Sequence, residues 1–359
     1  MPCRKPRRSG GRTKWARRAI RVFIMISKLY VAESRSVFAP ENLASEAALA
    51  GSVSPVEAIL FLWQNEKTVV IGRNQNAWKE CRLESLTRDG GVLVRRLSGG
   101  GAVFHDLGNL NVSFCLPREE EDIPRQTRVI LNALRALGVD ASCTGRNDLE
   151  VGGRKFSGHA FWRRGTSSCH HATLMLKVDQ AALEKYLCVS PLKLSSRGVD
   201  SVRARVVNLA ERFPALRLPA LCGALKQAFR EEYALPVAPF PWEDRFAGAG
   251  QAHLEELKAR FSSWEWTFGR RIPFDLEEQA RFPWGEVSLQ LHLESGRIRA
   301  CKCYTDAMDS LWPLKMEEAL QNIRFTPEDI HAVFSALPPA SAPSMREDLE
   351  NLILKMAKE

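Results

Sequence analysis

Short runs of alternating apolar and polar positions dominate this chain, broken by longer stretches with helical spacing. Lys28 to Val31 and Ala58 to Trp63 predict strands, with a helix over Pro40 to Leu49 between them. Thr68 to Gly72 is a further β-rich run, and the Gln-Asn-Glu-Lys before it is a hairpin signal. Leu93-Val94 and Ala102 to Phe104 predict two short buried strands on either side of three glycines, and Leu110 to Leu116 alternates as a strand. Ile123, Val129, Ile130, Ala133, Leu134 and Leu137 share a helical face that stops at Gly138. Residues 145–176 alternate strand patterns with tight turns, Gly152-Gly153 marking a hairpin, and Leu216 to Tyr233 predicts an amphipathic helix.

The pattern changes at Pro236 to Pro241, where three prolines fall in six residues and Gly248 and Gly250 follow. That shift predicts a linker. Beyond it, Leu254, Leu257 and Phe261 have helical spacing, and Gly285 to Leu293 and Arg297 to Tyr304 predict a hairpin around Glu-Ser-Gly. Helices over Pro313 to Gln321, Thr326 to Ala336 and Arg346 to Lys358 close the chain. The expected organisation is α+β: a head over 1–25, a large domain over 26–235, a linker over 236–250 and a small α+β domain over 251–359. The large domain should hold mixed or antiparallel sheets flanked by helices.

The 359 residues are 45% hydrophobic and 26% charged, ordinary globular material with room for two domains. The net charge of +9 and isoelectric point near 9.2 invite a nucleic-acid reading. However, ten of the 51 Lys and Arg lie in residues 1–32, which hold no acid; the rest has 41 basic against 42 acidic residues. No net basic footprint is left on the folded part. The head reads as a disordered basic tail, as a transit peptide, or as sequence upstream of a start at Met25. Its apolar stretch from Ile20 to Ile26 is interrupted by Arg21 and too short for a membrane span. The expectation is a soluble, cytoplasmic protein, organellar if the head is a transit peptide, with neither nucleic acid nor membrane as partner. The nine cysteines form no CxxC pair, which points to reduced thiols rather than a zinc site or disulfide framework.

Candidate chemistry centres on RRLSGGGAVFHD, Arg95 to Asp106. Three glycines expose consecutive amides that can cradle an anion, with Arg95 and Arg96 adding charge; a bare glycine hairpin is the alternative. The loop continues as a strand, which excludes a P-loop and a dinucleotide fingerprint, both of which open a helix. Four segments in order then carry a resemblance: VVIGRNQNAWKEC, the glycine loop, the Gly-Arg-Asn-Asp-Leu, Arg-Lys-x-Ser-Gly and His-His-x-Thr-Leu of residues 145–176, and LKLSSRGVDSVRARVVNL. Together they resemble the lipoate–protein ligase A family, of the two-domain bacterial type within the biotin and lipoate ligase superfamily, over about residues 26–340. Arg197 stands where that family usually has lysine.

The resemblance implies an ATP-dependent enzyme that makes lipoyl-AMP and passes the lipoyl group to a lysine of lipoyl domains. The acceptors would be 2-oxoacid dehydrogenase E2 subunits or the glycine-cleavage H protein, and the enzyme would act as a monomer. It implies Lys155 as the catalytic cation. Arg96, Ser98, Gly99, Gly100, Gly101, Ala102, Val103, Phe104, Asn147 and Asp148 would bind ATP and the adenylate, with Asp148 holding Mg²⁺. Trp63, Arg73 and His171 would form the lipoate pocket, and Val70, Phe104 and Phe114 are further tunnel candidates beside Trp63. His170 and His171 are adjacent on a strand, so only one can face a pocket. His105-Asp106 reads as loop stabilisation. Two other readings stay open: octanoyl transfer through a Cys169 thioester with His170 as base, and a non-catalytic binding protein acting through its basic head. Lipoate and octanoate are not distinguished.

Overall fold

A computed structural model describes residues 25–144, 148–188 and 206–357. The head over 1–24, Asn147 and Arg197 lie outside the described residues. The large unit is built on an eight-stranded sheet in the order β11-β1-β2-β6-β10-β9-β8-β7. Its strands are β1 (Lys28–Glu33), β2 (Glu57–Trp63), β6 (Asn109–Pro117), β7 (Ser142–Thr144), β8 (Asp148–Val151), β9 (Arg154–Arg164), β10 (Ser167–Met175) and β11 (Val237–Pro239). A second sheet, β4-β3-β5, comprises β3 (Thr68–Ile71), β4 (Val92–Arg95) and β5 (Val103–His105).

Every residue of β2 and β6 is buried, because both faces of the large sheet are covered. Helices α2 (Ile123–Ala136) and α3 (Leu218–Tyr233) seal one face over Phe114, Phe156 and Leu174. The other face holds α1 (Ala39–Ser52), α4 (Ala249–Ser262) and the small sheet, around Phe61, Trp63 and Val70. Proline at the start of α1, α2 and α3 fits a helix's first turn, where an N–H would lack a partner.

Three expectations need correction. β2 and β3 do not form a hairpin: β2 pairs with β1 and β6, while β3 pairs with β4 and β5. The connecting Asn65 is fully buried and held by the side chain of Asn42, so the chain crosses between sheets rather than turning back. The glycine loop is not a hairpin either. β4 and β5 lie on opposite sides of β3, so the loop arches over the end of β3, with Gly100 in the left-handed region at φ +87°. Finally, the expected linker is structured. β11 adds parallel to β1 at the sheet edge, where proline's missing N–H is tolerated. Arg245 then bonds the Glu57 carboxylate, and Leu254, Leu257 and Phe261 of α4 enter the same core as Trp63.

The smaller unit has its own core. β12 (Leu276–Phe282), β13 (Gly285–Glu294) and β14 (Arg297–Thr305) form an antiparallel sheet. Helices α6 (Trp312–Ala319), α7 (Pro327–Ala336) and α8 (Met345–Met356) cover one face of it; α5 (Trp264–Phe268) is the last helix before the connection. Among the described residues no helix is long and apolar enough to cross a membrane.

Candidate active site

The register of the large sheet sets out a row of residues across five strands. Trp63 lies opposite Asn111, Asn111 opposite Thr173, and Asp148 opposite Gly158. The Gly158 amide donates to Thr173 Oγ1 at 3.1 Å, closing the row. A bulge between Leu149 and Glu150 shifts Lys155 out of the regular alternation. Its Nζ hangs over Gly158, 3.2 Å from where a Cβ would stand, and pairs with Asp148 Oδ1 at 2.7 Å.

This row floors a cavity of 350 Å³, whose walls include Val70, Gly100, Gly101 and His171. A second cavity of 610 Å³ shares Ala102, Val103, Lys155, Gly158, Thr173 and Asp306 with it. Lys155 therefore sits where two chambers join beside the glycine loop. The smaller unit supplies one wall, through Trp284, Asp306 and Met308. Its backbone also grips the loop. Gly100 N donates to Ala307 O at 3.1 Å, and a Cβ on Gly99 would stand 2.2 Å from that oxygen.

Behind the cavity runs a continuous chain of hydrogen bonds. Arg96 Nε donates to Ser98 Oγ (2.9 Å), which contacts His171 Nε2 (2.9 Å); His171 Nδ1 meets Glu46 Oε1 (2.9 Å). Ser113 Oγ donates to the same Glu46 oxygen (2.6 Å) and accepts from Trp63 Nε1 (2.9 Å). Burial raises the Glu46 carboxyl, but His171 and its other donors outweigh this and hold it below the usual carboxylate value. An ionised Glu46 fixes the His171 proton on Nδ1 and leaves Nε2 to accept from Ser98. Glu46 had no place among the expected site residues. Its signal was available: Asn42 and Glu46, four apart in an Ala-rich helix, put two polar groups on one buried face.

Several expected residues are elsewhere or otherwise occupied. Arg96 lines the cavity, but its guanidinium also donates to the carbonyls of Val70, Gly99 and Gly101, so it braces the loop. Arg95 turns away and donates to carbonyls of Gly72, Arg73, Gln75, Trp266 and Thr267. Arg73, expected at the lipoate pocket, stacks over the Trp266 ring at 4.0 Å and does not line the smaller cavity; burial, then Arg270 and Arg260, push it down to about 10. Phe104 faces the larger cavity, and Phe114 packs in the opposite core against Phe229. Trp63, Val70, His171, Lys155, Asp148 and Gly100 to Val103 do come together around the smaller cavity, whereas Ser98 and Gly99 are buried behind it.

Cys169 does not offer a nucleophile. It is fully buried, its Sγ is 4.0 Å from Cys115 Sγ, and burial first, then Cys115, raise its thiol well above the usual value. His170, the suggested base, points to the opposite face, between Gln126 and His159. His105 is buried and bonded to Asn65, and Asp106 caps the following turn at Gly108. Among the described residues, only Glu46, Cys169 and His171 bring three metal-ligand atoms together. That set is buried and includes a thiol, the wrong chemistry for magnesium, which takes oxygen ligands.

Comparison with known proteins gives consistent matches. Residues 39–230 match the family model of the lipoyl protein ligase A/B catalytic domain, and 271–353 that of the bacterial lipoate protein ligase C-terminus. The chain is 39% identical over 300 residues to a lipoate-protein ligase A of Psychrobacter cryohalolentis, spanning 82% of this chain and 88% of that protein. It is similar to P. falciparum LipL1 in complex with lipoate, with a TM-score of 0.76 at 25% identity over 92% of this chain and 99% of that one. It is also similar to a bipartite lipoate protein ligase of Thermoplasma acidophilum described with its E2 lipoyl domain (TM-score 0.59, 27% identity, 70% and 100% covered). A lipoate-protein ligase A bound with ATP matches with a TM-score of 0.58 at 26% identity, over 68% of this chain and 99% of that one.

Proposed function

The chain belongs to the lipoyl protein ligase A/B family, and from that premise we infer that it is an ATP-dependent lipoate–protein ligase. The observation that carries this reading is Lys155 Nζ at the junction of two cavities, beside the glycine loop. The smaller cavity suits the acyl chain and the larger one the nucleotide.

In the first step a carboxylate oxygen of lipoate attacks the α-phosphorus of ATP, forming the mixed anhydride and releasing diphosphate. In the second, the acceptor lysine nitrogen attacks the acyl carbonyl carbon. The bond from that carbon to the phosphate oxygen breaks, AMP departs, and the amine proton passes to solvent. Both steps build negative charge on oxygens near the Lys155 ammonium. A compact, movable cation can serve phosphate and carbonyl in turn, and one such preorganised contact is worth about 3–4 kcal/mol of barrier. The Gly101 to Val103 segment supplies backbone along the same wall.

Asp148 is the carboxylate that would hold Mg²⁺ there. It lines the cavity and is partly exposed, and one carboxylate plus substrate phosphate oxygens satisfies that ion. Magnesium would neutralise phosphate charge. The acceptor would be a lysine of an E2 lipoyl domain or of the glycine-cleavage H protein, modified by a cytoplasmic monomer. The test is ATP–pyrophosphate exchange that depends on lipoic acid and falls by a factor of hundreds in Lys155→Ala. Exchange without lipoate dependence sinks the reading, and exchange within about tenfold of wild type in the variant takes Lys155 out of it.

A further inference from the structure

We propose that Arg281, carried into the site by the smaller unit, is a catalytic residue of the activation step, its guanidinium binding the diphosphate that departs when lipoate attacks ATP. The inference rests on the ligase reading above and adds a residue to it.

A stiff hairpin delivers this side chain. Arg281 of β12 stands opposite Glu286 of β13, and Phe282 opposite Gly285, with Pro283-Trp284 as the turn. Phe282 and Trp284 stack with ring centroids 5.1 Å apart, and Trp284 Nε1 donates to Asp348 Oδ2 of α8 at 2.7 Å. Glu286 N donates to Asp306 Oδ1 at 2.8 Å, which pins the base of the turn. Strand alternation sends Val287 and Leu289 into the core of the smaller unit and turns Gln279, Arg281 and Ser288 the other way, towards the two cavities. Arg281 lines the smaller cavity with its side chain partly open, and its ion pair to Glu286 is long, at 3.4 Å. A guanidinium held this loosely can exchange its carboxylate for a substrate anion.

In-line geometry decides what it meets. Displacement at the α-phosphorus needs the lipoate oxygen on one side and the departing oxygen on the other. The acyl chain reaches Lys155 from the buried end of the smaller cavity, at Leu43 and Trp63, and the adenosine takes the larger chamber. The diphosphate is then directed to the remaining wall, formed by Arg281, Pro283, Trp284 and Gly285. Among the described residues lining either cavity, the Lys and Arg side chains are those of Lys79, Arg96, Lys155 and Arg281. Arg96 is tied to loop carbonyls, Lys79 is paired with Glu277 of the smaller unit at 3.1 Å, and Lys155 attends the α-phosphate and the acyl carbonyl. As the new phosphorus–oxygen bond forms, the old one breaks and its electron pair stays on the diphosphate; no proton moves. Charge gathers on that departing oxygen, and a planar guanidinium can give a phosphate two parallel N–H bonds. The second step contains no diphosphate, so Arg281 has no part in it.

The test separates the two half-reactions in full-length protein. Lipoate-dependent ATP–pyrophosphate exchange reports the first, and transfer from presynthesised lipoyl-AMP to a lipoyl domain reports the second. Arg281→Ala should lower the exchange kcat about a hundredfold and raise the KM for diphosphate, while transfer stays within about threefold of wild type. If the alanine variant does not fold, Arg281→Lys, which keeps the charge and loses the fork, is read the same way with an exchange loss of about tenfold. Exchange within about threefold of wild type in the folded variant overturns the proposal. So does a parallel fall in exchange and transfer, which marks a contact that supports the adenylate or the fold rather than the leaving group. If the wild type shows no lipoate-dependent exchange, the ligase reading fails and this inference falls with it.

Discussion

Lys155 and Asp148 are both about 40% exposed, so their ion pair contributes little to stability and can be exchanged for substrate contacts. Lys155→Ala is therefore expected to melt near the wild-type temperature while slowing exchange by a factor of hundreds through kcat. A kcat within tenfold of wild type would remove Lys155 from the chemistry. Cys169→Ser is expected to keep both half-reactions, since the thiol is closed off from the cavity by burial and by Cys115. Loss of transfer with exchange intact would revive the thioester route. At this scale, residue types in a known order pointed to Lys155, Asp148 and His171, which line one cavity, yet a cation's partner cannot be read from its neighbours in sequence. Arg95 and Arg96 are adjacent; one reaches carbonyls from 170 residues downstream and the other ties down its own loop. Glu46 escaped notice because its ligands, His171 and Ser113, come from distant strands.

The glycine loop works as an element because the smaller unit packs directly on it. Gly99 has no room for a side chain: besides Ala307 O, a Cβ would meet Met308 O at 2.6 Å. Gly99→Ala must push the 307–308 backbone away from the loop, at a cost of about 1–3 kcal/mol for overpacking. The expected outcome is a lower melting temperature, together with faster proteolysis of the exposed connection near Arg271 as the two units part. Unchanged melting and unchanged proteolysis would show that the grip on the loop is not a stabilising contact. Strand existence was legible in the hydrophobic pattern: β2, β6, β13 and β14 fall where alternation and apolar runs predict them. The hairpins around Glu-Ser-Gly and Gly152-Gly153 were legible too, but the pairing of β2 and β3 was not, because partner choice there is set by what covers each sheet. The Gln-Asn-Glu-Lys segment has turn composition, but Asn65 is captured by Asn42 of α1, which no local pattern encodes. The prolines of residues 236–241 carry an ambiguous signal for the same reason: they suit a linker and an edge strand equally.

For the whole molecule, the excess positive charge belongs to the head, but the distribution of buried imidazoles predicts how the folded units respond to acid. Three histidines of the large unit are held neutral chiefly by burial: His105 at about 3, His159 at about 4, and His170 well below its ordinary value. In the unfolded chain the same groups take up protons near pH 6.5. Below that pH the unfolded state binds more protons than the native state, so stability is full above about pH 6.5 and falls as the pH drops toward the folded values. Each imidazole contributes a slope of roughly 1.4 kcal/mol per pH unit. Three of them consume several kcal/mol by pH 5, a large part of the 5–15 kcal/mol typical of a domain. The paired carboxylates act later. Burial raises Glu57, but Arg245 and Ser54 bring it below its ordinary 4.5, so its contribution is lost only at lower pH. Urea unfolding from pH 8 to pH 5 should accordingly show a midpoint that is flat above about pH 7 and declines steeply below it. His170→Gln, which can keep a hydrogen bond to His159 or Gln126, should reduce that decline by about a third. A wild-type midpoint that stays level down to pH 5 would mean that the folded interior accepts these protons, and that His105, His159 and His170 are not held neutral.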